Sequence, residues 1–267
     1  MSIKLFVSDL DGTLLPSGQT VSPRNIKAIQ DMVKAGVIFT IATGRMFSAS
    51  VKIAQSLGVD VPIITYNGAL IKSTSGEVFH TDFLPSDLIT EIIAFCKDRD
   101  WHIQNYSNDN LYFAEHNELA MAYENALGIR GEAIGWEAML KMTENVPKLL
   151  SIASSVDETK RNIKILKDEF GDRVNATSSA PTYIEITCPA VSKAAAIAIL
   201  ASKFNINNSE IMSIGDSYND LPMLKAVGHS VAMGNAPDDI KSACEFVTDD
   251  CNEDGFAQAV YKYVLTD

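Results

Sequence analysis

Two acidic residues stand two positions apart, directly after an apolar segment near the start of the chain. Segment 3–7 is typical of a buried β-strand, and Asp9 and Asp11 follow it with Leu10 between them. Residues two apart on an extended chain face the same side, so both carboxylates should point to one spot. Like charges held that close favour a bound cation or a proton on one carboxyl. Both conditions suit a carboxylate nucleophile beside a metal and a general acid.

Two plainer interpretations compete with that chemistry. An acidic turn at a strand end is common and is usually only hydrated, and Asp-x-Asp also opens calcium-binding loops. The calcium interpretation fails on position, because the sixth loop residue would be Leu14, where Gly is required, and the twelfth would be Thr20, where Glu is required. The choice between a hydrated turn and a catalytic pair therefore rests on the remaining chain.

Polar residues also follow the strand predicted over 37–42. Thr43 offers a hydroxyl, Gly44 an accessible backbone N–H and Arg45 a guanidinium, just before a predicted helix whose N-terminus favours anions. Lys193 opens another predicted helix, at an end where the helix dipole favours anions over cations. Both features suit phosphate binding, although a capped turn explains the first more simply and a hydrated surface lysine explains the second equally well.

A fourth polar group follows the strand predicted over 210–214. Asp216, Asn219 and Asp220 lie close together at the start of a helix predicted over 218–226. Capping that helix needs only one of them. Two acids and an amide together therefore indicate a metal ligand and residues that orient it or a substrate.

These four groups, taken in order, resemble the four motifs of the haloacid dehalogenase (HAD) superfamily of phosphohydrolases. The first motif matches Asp9–Leu14, the second Thr43–Arg45, the third Lys193 and the fourth Gly215–Asp220. Further segments resemble the Cof-type subfamily: Asn67-Gly68-Ala69, Leu221-Pro222-Met223-Leu224, Val231-Ala232-Met233-Gly234-Asn235-Ala236 and Glu253-Asp254-Gly255-Phe256-Ala257. One departure is Ala194, because this subfamily usually carries Gly after the lysine.

The resemblance implies a role for each matched residue. Asp9 would attack phosphorus and form an aspartyl-phosphate, while Asp11 would protonate the leaving alcohol and then activate water. Mg²⁺ would be held by the Asp9 side chain, the Asp11 backbone carbonyl and Asp216. The Leu10 and Gly44 backbone N–H groups, Thr43, Lys193 and Asn219 would hold the phosphoryl oxygens. Apart from the resemblance, the place of Arg45 beside the Thr43-Gly44 corner suits a second anionic group of the substrate, and Asn67 and Asp220 are expected to support the site.

Strand and helix predictions alternate at both ends of the chain, and strands paired by short turns lie between them. With the resemblance, this pattern predicts an α/β fold with a Rossmann-like parallel-sheet core over 1–82 and 188–267 that carries the catalytic residues. An inserted α+β cap over 83–187 would set substrate specificity. Ligands are expected at the carboxyl ends of the core strands.

Composition limits the partners. The 267 residues carry a formal net charge of −12, which argues against nucleic acid or an anionic membrane as partner. No apolar segment is long enough to span a bilayer, no signal-peptide pattern opens the chain, and four scattered cysteines form no CxxC pair. A cytoplasmic protein without an obligate protein partner is expected, acting on a small phosphorylated metabolite.

Three functions fit these observations. The first is a Mg²⁺-dependent phosphatase for small phosphorylated metabolites, with sugar phosphates, pyridoxal phosphate and flavin-pathway phosphates all open as substrates. The second is a phosphotransferase such as a sugar phosphomutase, and the third is a non-catalytic phospholigand sensor. The large insert between the second and third motifs favours the hydrolase, because phosphomutases of the superfamily usually carry a helical cap between the first two. The sensor is disfavoured because every acid and the lysine of the four motifs are present.

Overall fold

The computed structural model describes residues 2–16 and 20–265 of the chain. Residues 1, 17–19, 266 and 267, all within the predicted core, lie outside the described residues. The chain divides into two compact units: the first comprises Met1–His80 and Ser192–Asp267, and the second comprises Thr81–Val191.

The strands fall into two sheets, one for each unit. Their bounds in chain order are β1 (Leu5–Ser8), β2 (Ile38–Ala42), β3 (Pro62–Thr65), β4 (Leu70–Ser73), β5 (Val78–Thr81), β6 (His102–Ser107), β7 (Asn110–Phe113), β8 (Gly131–Ala133), β9 (Leu149–Ile152), β10 (Asn175–Ala180), β11 (Tyr183–Thr187), β12 (Ile211–Gly215), β13 (His229–Ala232) and β14 (Phe246–Val247).

The helices alternate with the strands at both ends of the chain, as the sequence predicts. Their bounds are α1 (Pro23–Lys34), α2 (Phe47–Ser56), α3 (Ser86–Lys97), α4 (Glu118–Leu127), α5 (Gly135–Lys141), α6 (Val156–Phe170), α7 (Lys193–Phe204), α8 (Leu221–Ala226), α9 (Asp238–Ser242) and α10 (Gly255–Ala259).

The sheet of the first unit has the order β14-β13-β12-β1-β2-β3-β4-β5. Neighbours from β14 to β3 are parallel, and β4 returns antiparallel to β3. Both faces are buried: Phe6 packs against Phe39 and Phe256 on one side, and Leu5 lies with Ile197 in a second apolar cluster. Helices covering both faces of a parallel sheet define an α/β fold, so the predicted fold class is confirmed.

The second unit is built on the six-stranded sheet β10-β11-β9-β6-β7-β8. Its pairs are antiparallel except for β7 with β8. Helices α3, α5 and α6 pack against this sheet. The mixture of hairpin-connected strands and helices has the α+β character predicted for the insert.

Local signals explain where several elements begin and end. Helix α1 starts at Pro23 because the Ser22 hydroxyl accepts a hydrogen bond from the Asn25 N–H at 3.1 Å and Pro fits the first helical position. The helix predicted over 218–226 is wrong at its start, because residues before Leu221 form a turn. The sequence also predicts a helix over 254–264, and in the structure this segment is α-helical over Gly255–Ala259 and continues as a π-helical turn.

No helix among residues 2–16 and 20–265 is both long and apolar enough to cross a membrane. The four cysteines are free thiols, and three of them are buried. Burial raises the pKa of Cys96 and of Cys188 to about 12. Thiols held protonated in this way are poor nucleophiles.

Candidate active site

The predicted site residues follow strands that are neighbours in the first sheet. Strands β13, β12, β1 and β2 are adjacent and parallel, so the loops after them leave the same edge. Asp9 follows β1, Thr43 follows β2 and Asp216 follows β12. This edge is where ligands bind in open parallel sheets.

A buried ion cluster joins three of the four motifs. The Lys193 ammonium donates to Asp9 Oδ1 at 2.5 Å and to Asp220 Oδ1 at 2.7 Å. All three side chains are buried. Burial and the Asp220 charge raise the pKa of Asp9 well above its usual range, while Lys193 lowers it. Burial lowers the pKa of Lys193, but Asp220 and Asp9 outweigh it and raise that pKa above its ordinary value, so the lysine stays charged.

Asp220 organises the loop after β12. Its Oδ2 accepts the backbone N–H groups of Asp216 and Ser217, both at 3.1 Å, while its Oδ1 accepts from Lys193. These bonds close the turn that delays the start of α8. Asp220 therefore links the loop backbone to the lysine.

Asp216 is held from two sides. The Thr13 hydroxyl donates to its Oδ1 at 3.0 Å, and the Asn235 amide lies 3.4 Å from its Oδ2. The same Asn235 amide donates to the Gly12 carbonyl at 2.8 Å, and its Oδ1 accepts the Cys251 N–H at 3.0 Å. Burial and the Asp220 charge raise the pKa of Asp216 to about 6, against the Thr13 hydrogen bond, which lowers it.

The carboxylates suit a hard divalent cation. One oxygen from each of Asp9, Asp216 and Asp220 lies within 4.8 Å of the others, and Mg²⁺ takes oxygen ligands. Asp220 is the most fully engaged of the three, because it accepts from Lys193 and from two backbone N–H groups. Asp216 accepts from the Thr13 hydroxyl and, at 3.4 Å, from the Asn235 amide, so Asp9 and Asp216 are the better ligands. Burial and like charge raise the pKa of both, and a bound cation would relieve that repulsion. The side chains of Asp9 and Asp216 therefore fit a Mg²⁺ ion.

Gly12 is required by the close approach of two loops. Its φ is +78°, a conformation that favours glycine, and a Cβ there would lie 2.5 Å from the Asp216 carboxylate. The Asp-x-Asp-Gly pattern therefore has a structural reason besides the sharp turn. The glycine allows the loop after β1 to contact the loop after β12.

The loop after β2 is braced by the turn after β3. The Asn67 N–H donates to the Thr43 carbonyl at 3.0 Å, and the Tyr66 N–H donates to the Arg45 carbonyl at 3.0 Å. A Cβ at Gly44 would lie 2.9 Å from Asn67 Oδ1. Asn67 and Tyr66 therefore brace the Thr43–Arg45 corner.

Asp11 and Arg45 form a two-pronged ion pair. Arg45 Nε donates to Asp11 Oδ2 at 2.9 Å, and Nη2 donates to Oδ1 at 2.5 Å. The sequence predicted that Arg45 holds an anionic group of the substrate. In the structure its guanidinium holds the side chain predicted to be the general acid.

One predicted site residue, Asn219, and three polar residues without a predicted role remain. Asn219 is exposed, and its Oδ1 accepts a hydrogen bond from the Ser217 hydroxyl. Asn235 was noted only as part of a matched segment, although its place three residues after β13 was a usable signal. Lys148 and Glu185, a buried ion pair of 2.8 Å in the second unit, carried no recognisable pattern.

Comparison with known proteins agrees with this geometry. A profile of the haloacid dehalogenase-like hydrolases matches residues 6–260. Two Bacillus subtilis proteins, each named 5-amino-6-(5-phospho-D-ribitylamino)uracil phosphatase, are similar to the chain: YcsE is 31% identical, with 99% of this chain and 97% of YcsE covered, and YwtE is 30% identical, with 96% of each covered. The crystal structure of TM0651 from Thermotoga maritima is 30% identical, has a TM-score of 0.86, and covers 99% of this chain and 98% of its own.

Proposed function

The chain belongs to the haloacid dehalogenase-like hydrolase family and is a phosphatase, and from that premise we propose that it hydrolyses small phosphorylated metabolites through an aspartyl-phosphate on Asp9, with Mg²⁺ as cofactor. The observation that carries this proposal is the buried cluster in which Lys193 bridges Asp9 and Asp220 beside Asp216. A phosphoryl group bound beside this cluster would meet a nucleophilic carboxylate, the Lys193 ammonium and a second carboxylate.

The first half-reaction forms the covalent intermediate. An Asp9 carboxylate oxygen attacks phosphorus, and the bond from phosphorus to the leaving oxygen breaks while Asp11 gives that oxygen its proton. Lys193 would offset the negative charge of the phosphoryl oxygens. The Leu10 and Gly44 backbone N–H groups, Thr43 and Asn219 are the proposed hydrogen-bond donors that position them. Phosphoryl transfer depends mainly on such positioning and charge stabilisation.

The second half-reaction reverses these roles. Asp11, now ionised, takes a proton from water as that water attacks phosphorus. The bond between phosphorus and the Asp9 oxygen breaks, which releases inorganic phosphate and restores the free carboxylate. One residue therefore serves as acid and then as base, and the protons balance over the cycle.

The proposed metal ligands are the Asp9 and Asp216 side chains with the Asp11 backbone carbonyl. When bound, Mg²⁺ supplies positive charge that stabilises the transferring phosphoryl group. The contacts from Thr13 and Asn235 to Asp216 would keep its oxygens aimed at the ion. Outer contacts of this kind commonly tune metal affinity.

The two units divide the work in this proposal. Every residue given a chemical role above lies in the first unit, Met1–His80 and Ser192–Asp267, and we propose that this unit is the catalytic core, which the sequence predicts over 1–82 and 188–267. We propose that the second unit, the cap predicted over 83–187, selects the leaving group.

The substrate class can be narrowed from the relatives. Because YcsE and YwtE are named for a phosphorylated ribitylaminouracil, that compound heads the panel to test, followed by sugar phosphates and pyridoxal phosphate. The experiment measures phosphate release across the panel with Mg²⁺, with EDTA, and with the Asp9→Asn variant as control. Metal-dependent release that the variant lacks would support the proposal. Equal release with EDTA, or transfer of phosphate to a second substrate in place of release, would contradict it.

A further inference from the structure

The pair formed by Arg45 and Asp11 joins two loops of the first unit. Its two parallel hydrogen bonds, 2.9 Å and 2.5 Å, match the planar fork of a guanidinium to the plane of a carboxylate. Such a fork fixes orientation as well as distance. Arg45 follows β2 and Asp11 follows β1, so the contact sets where one loop places its acid relative to its neighbour.

Stability does not explain this pair. The side chains are 26% and 54% exposed, and exposed ion pairs contribute only ~0–1 kcal/mol. An exposed aspartate without a partner would sample several rotamers. The main effect of the fork is therefore to keep the Asp11 carboxylate in one position.

Arg45 is itself well anchored for that task. Its N–H donates to the Thr43 hydroxyl at 3.2 Å, and its carbonyl accepts the Tyr66 N–H at 3.0 Å. A carboxylate has about four lone-pair sites, and the fork uses one on each Asp11 oxygen. A site therefore remains on Asp11 for the proton that it transfers.

We infer that Arg45 is a positioning residue for Asp11, which holds the acid–base carboxylate at the leaving oxygen, and that it is not a ligand of the substrate phosphate. This inference rests on the acid–base role proposed above for Asp11. Misplacing a catalytic group by ~1 Å costs on the order of 10²-fold in rate, so loss of the fork should act on catalysis more than on binding.

The test measures single-turnover release of the leaving group from two substrates. Aryl release from p-nitrophenyl phosphate needs little protonation, whereas alcohol release from an alkyl phosphate needs a proton. Arg45→Ala should slow alcohol release ~10–10²-fold, slow aryl release much less, and leave KM unchanged. Arg45→Lys should rescue poorly, because a point charge does not replace a fork.

A double-variant cycle adds a second readout. If Arg45 acts only through Asp11, then Arg45→Ala in the Asp11→Asn background should cause no further loss, a strong departure from additivity. The matched control is Arg173→Ala, which removes another exposed two-pronged pair, to Glu91 at 2.7 and 2.8 Å. That control should leave both release rates unchanged.

Three results would overturn the inference. An equal rise in KM for both substrates, with weaker inhibition by inorganic phosphate, would make Arg45 a phosphate ligand. Additive losses in the double variant would show that it acts independently of Asp11. If Asp11→Asn alone slows both substrates equally, the acid–base assignment fails first. That outcome is separable from the others, since it is measured without touching Arg45.

Discussion

The two units each bury a lysine against a carboxylate, but the surroundings of the two lysines differ. In the first unit Lys193 contacts Asp9 and Asp220, with Asp216 close by. In the second unit Lys148 pairs with Glu185 at 2.8 Å and lies 4.7 Å from the centre of the Tyr106 ring. The first arrangement has an excess of negative charge, whereas the charges of the second pair cancel.

This difference in charge balance indicates different roles for Lys193 and Lys148. A balanced buried ion pair is often replaceable by apolar residues without loss of stability, because its attraction barely offsets the loss of hydration. An excess of buried carboxylates raises their pKa values, as at Asp9 and Asp216, and costs stability unless a cation binds. We therefore attribute chemistry to the first cluster and a structural role to the second.

Asp9→Asn should have the largest effect on activity. The amide keeps the size of the carboxylate but cannot attack phosphorus, so turnover should fall at least ~10⁴-fold. The fold should persist, since Lys193 keeps Asp220 as partner. Phosphate release measures the loss of turnover, and a thermal melt checks that the fold persists. Near-normal turnover would refute the nucleophilic role.

Lys193→Met should have the second largest effect on activity. Losing one donor to a transition-state oxyanion typically costs ~10²–10³-fold in kcat. Breaking a buried ion pair also lowers the free energy of unfolding by ~3–5 kcal/mol, so the rate should be expressed per folded molecule. Lys148→Met is the matched control, since it removes a buried lysine from the second unit. It should lose stability but keep its rate on p-nitrophenyl phosphate. Equal rate losses in the two variants would remove the distinction between the clusters.

Asn235→Ala should weaken metal binding. The amide joins the Asp216 carboxylate to the Gly12 carbonyl, and loss of such outer contacts typically costs ~10–100-fold in metal affinity. The concentration of Mg²⁺ giving half-maximal activity should rise accordingly, while the rate at saturating Mg²⁺ falls less. An unchanged Mg²⁺ requirement would show that Asn235 only braces the loops.

Stability should depend on pH and Mg²⁺ together. The folded state raises the pKa of Asp216 from 3.8 to about 6, so this group favours folding below about pH 4, and that contribution is lost as the pH rises through about 6. Mg²⁺ binds the ionised form, so it should raise the melting temperature more at about pH 7.5 than at about pH 5. Asp216→Asn should abolish the difference, and a pH-independent shift would count against these ligands.

The smallest effect on activity is expected from replacing the whole pair of the second unit. Lys148→Met with Glu185→Met removes both charges, so no buried charge is left without a partner. Stability should be unchanged or rise by ~1–4 kcal/mol, and turnover of p-nitrophenyl phosphate should stay normal. A collapse of turnover on this small substrate would give the second pair a chemical role.

The fold was predictable where local signals were strong. Pro23 after Ser22 predicts a helix from there to about residue 34, and an apolar stripe predicts another over 86–97. The structure has both helices, at Pro23–Lys34 and Ser86–Lys97. Strands Gly131–Ala133 and Phe246–Val247 were missed. Two or three residues show no periodicity, and only their sheet neighbours make them strands.

The candidate site was predictable as four loops but not as a network. Asp9, Thr43 and Asp216 each follow a predicted parallel strand, so the sequence predicts that they lie at one edge of the sheet. It does not state that Asp220 bonds the backbone of its own loop, or that Arg45 turns to Asp11. Those contacts depend on side-chain directions across loops distant in the chain, which only the folded structure fixes.

Trapping the phosphorylated protein tests the central claim most directly. With a good leaving group, the Asp11→Asn variant should form the intermediate faster than it hydrolyses it. This variant is mixed with p-nitrophenyl phosphate and Mg²⁺ and quenched in acid within milliseconds. Peptide mass spectrometry should then find one phosphoryl group, on Asp9, and none when Asp9→Asn is added. A phosphoryl group on another residue, or none at all while p-nitrophenol is released, would contradict the account.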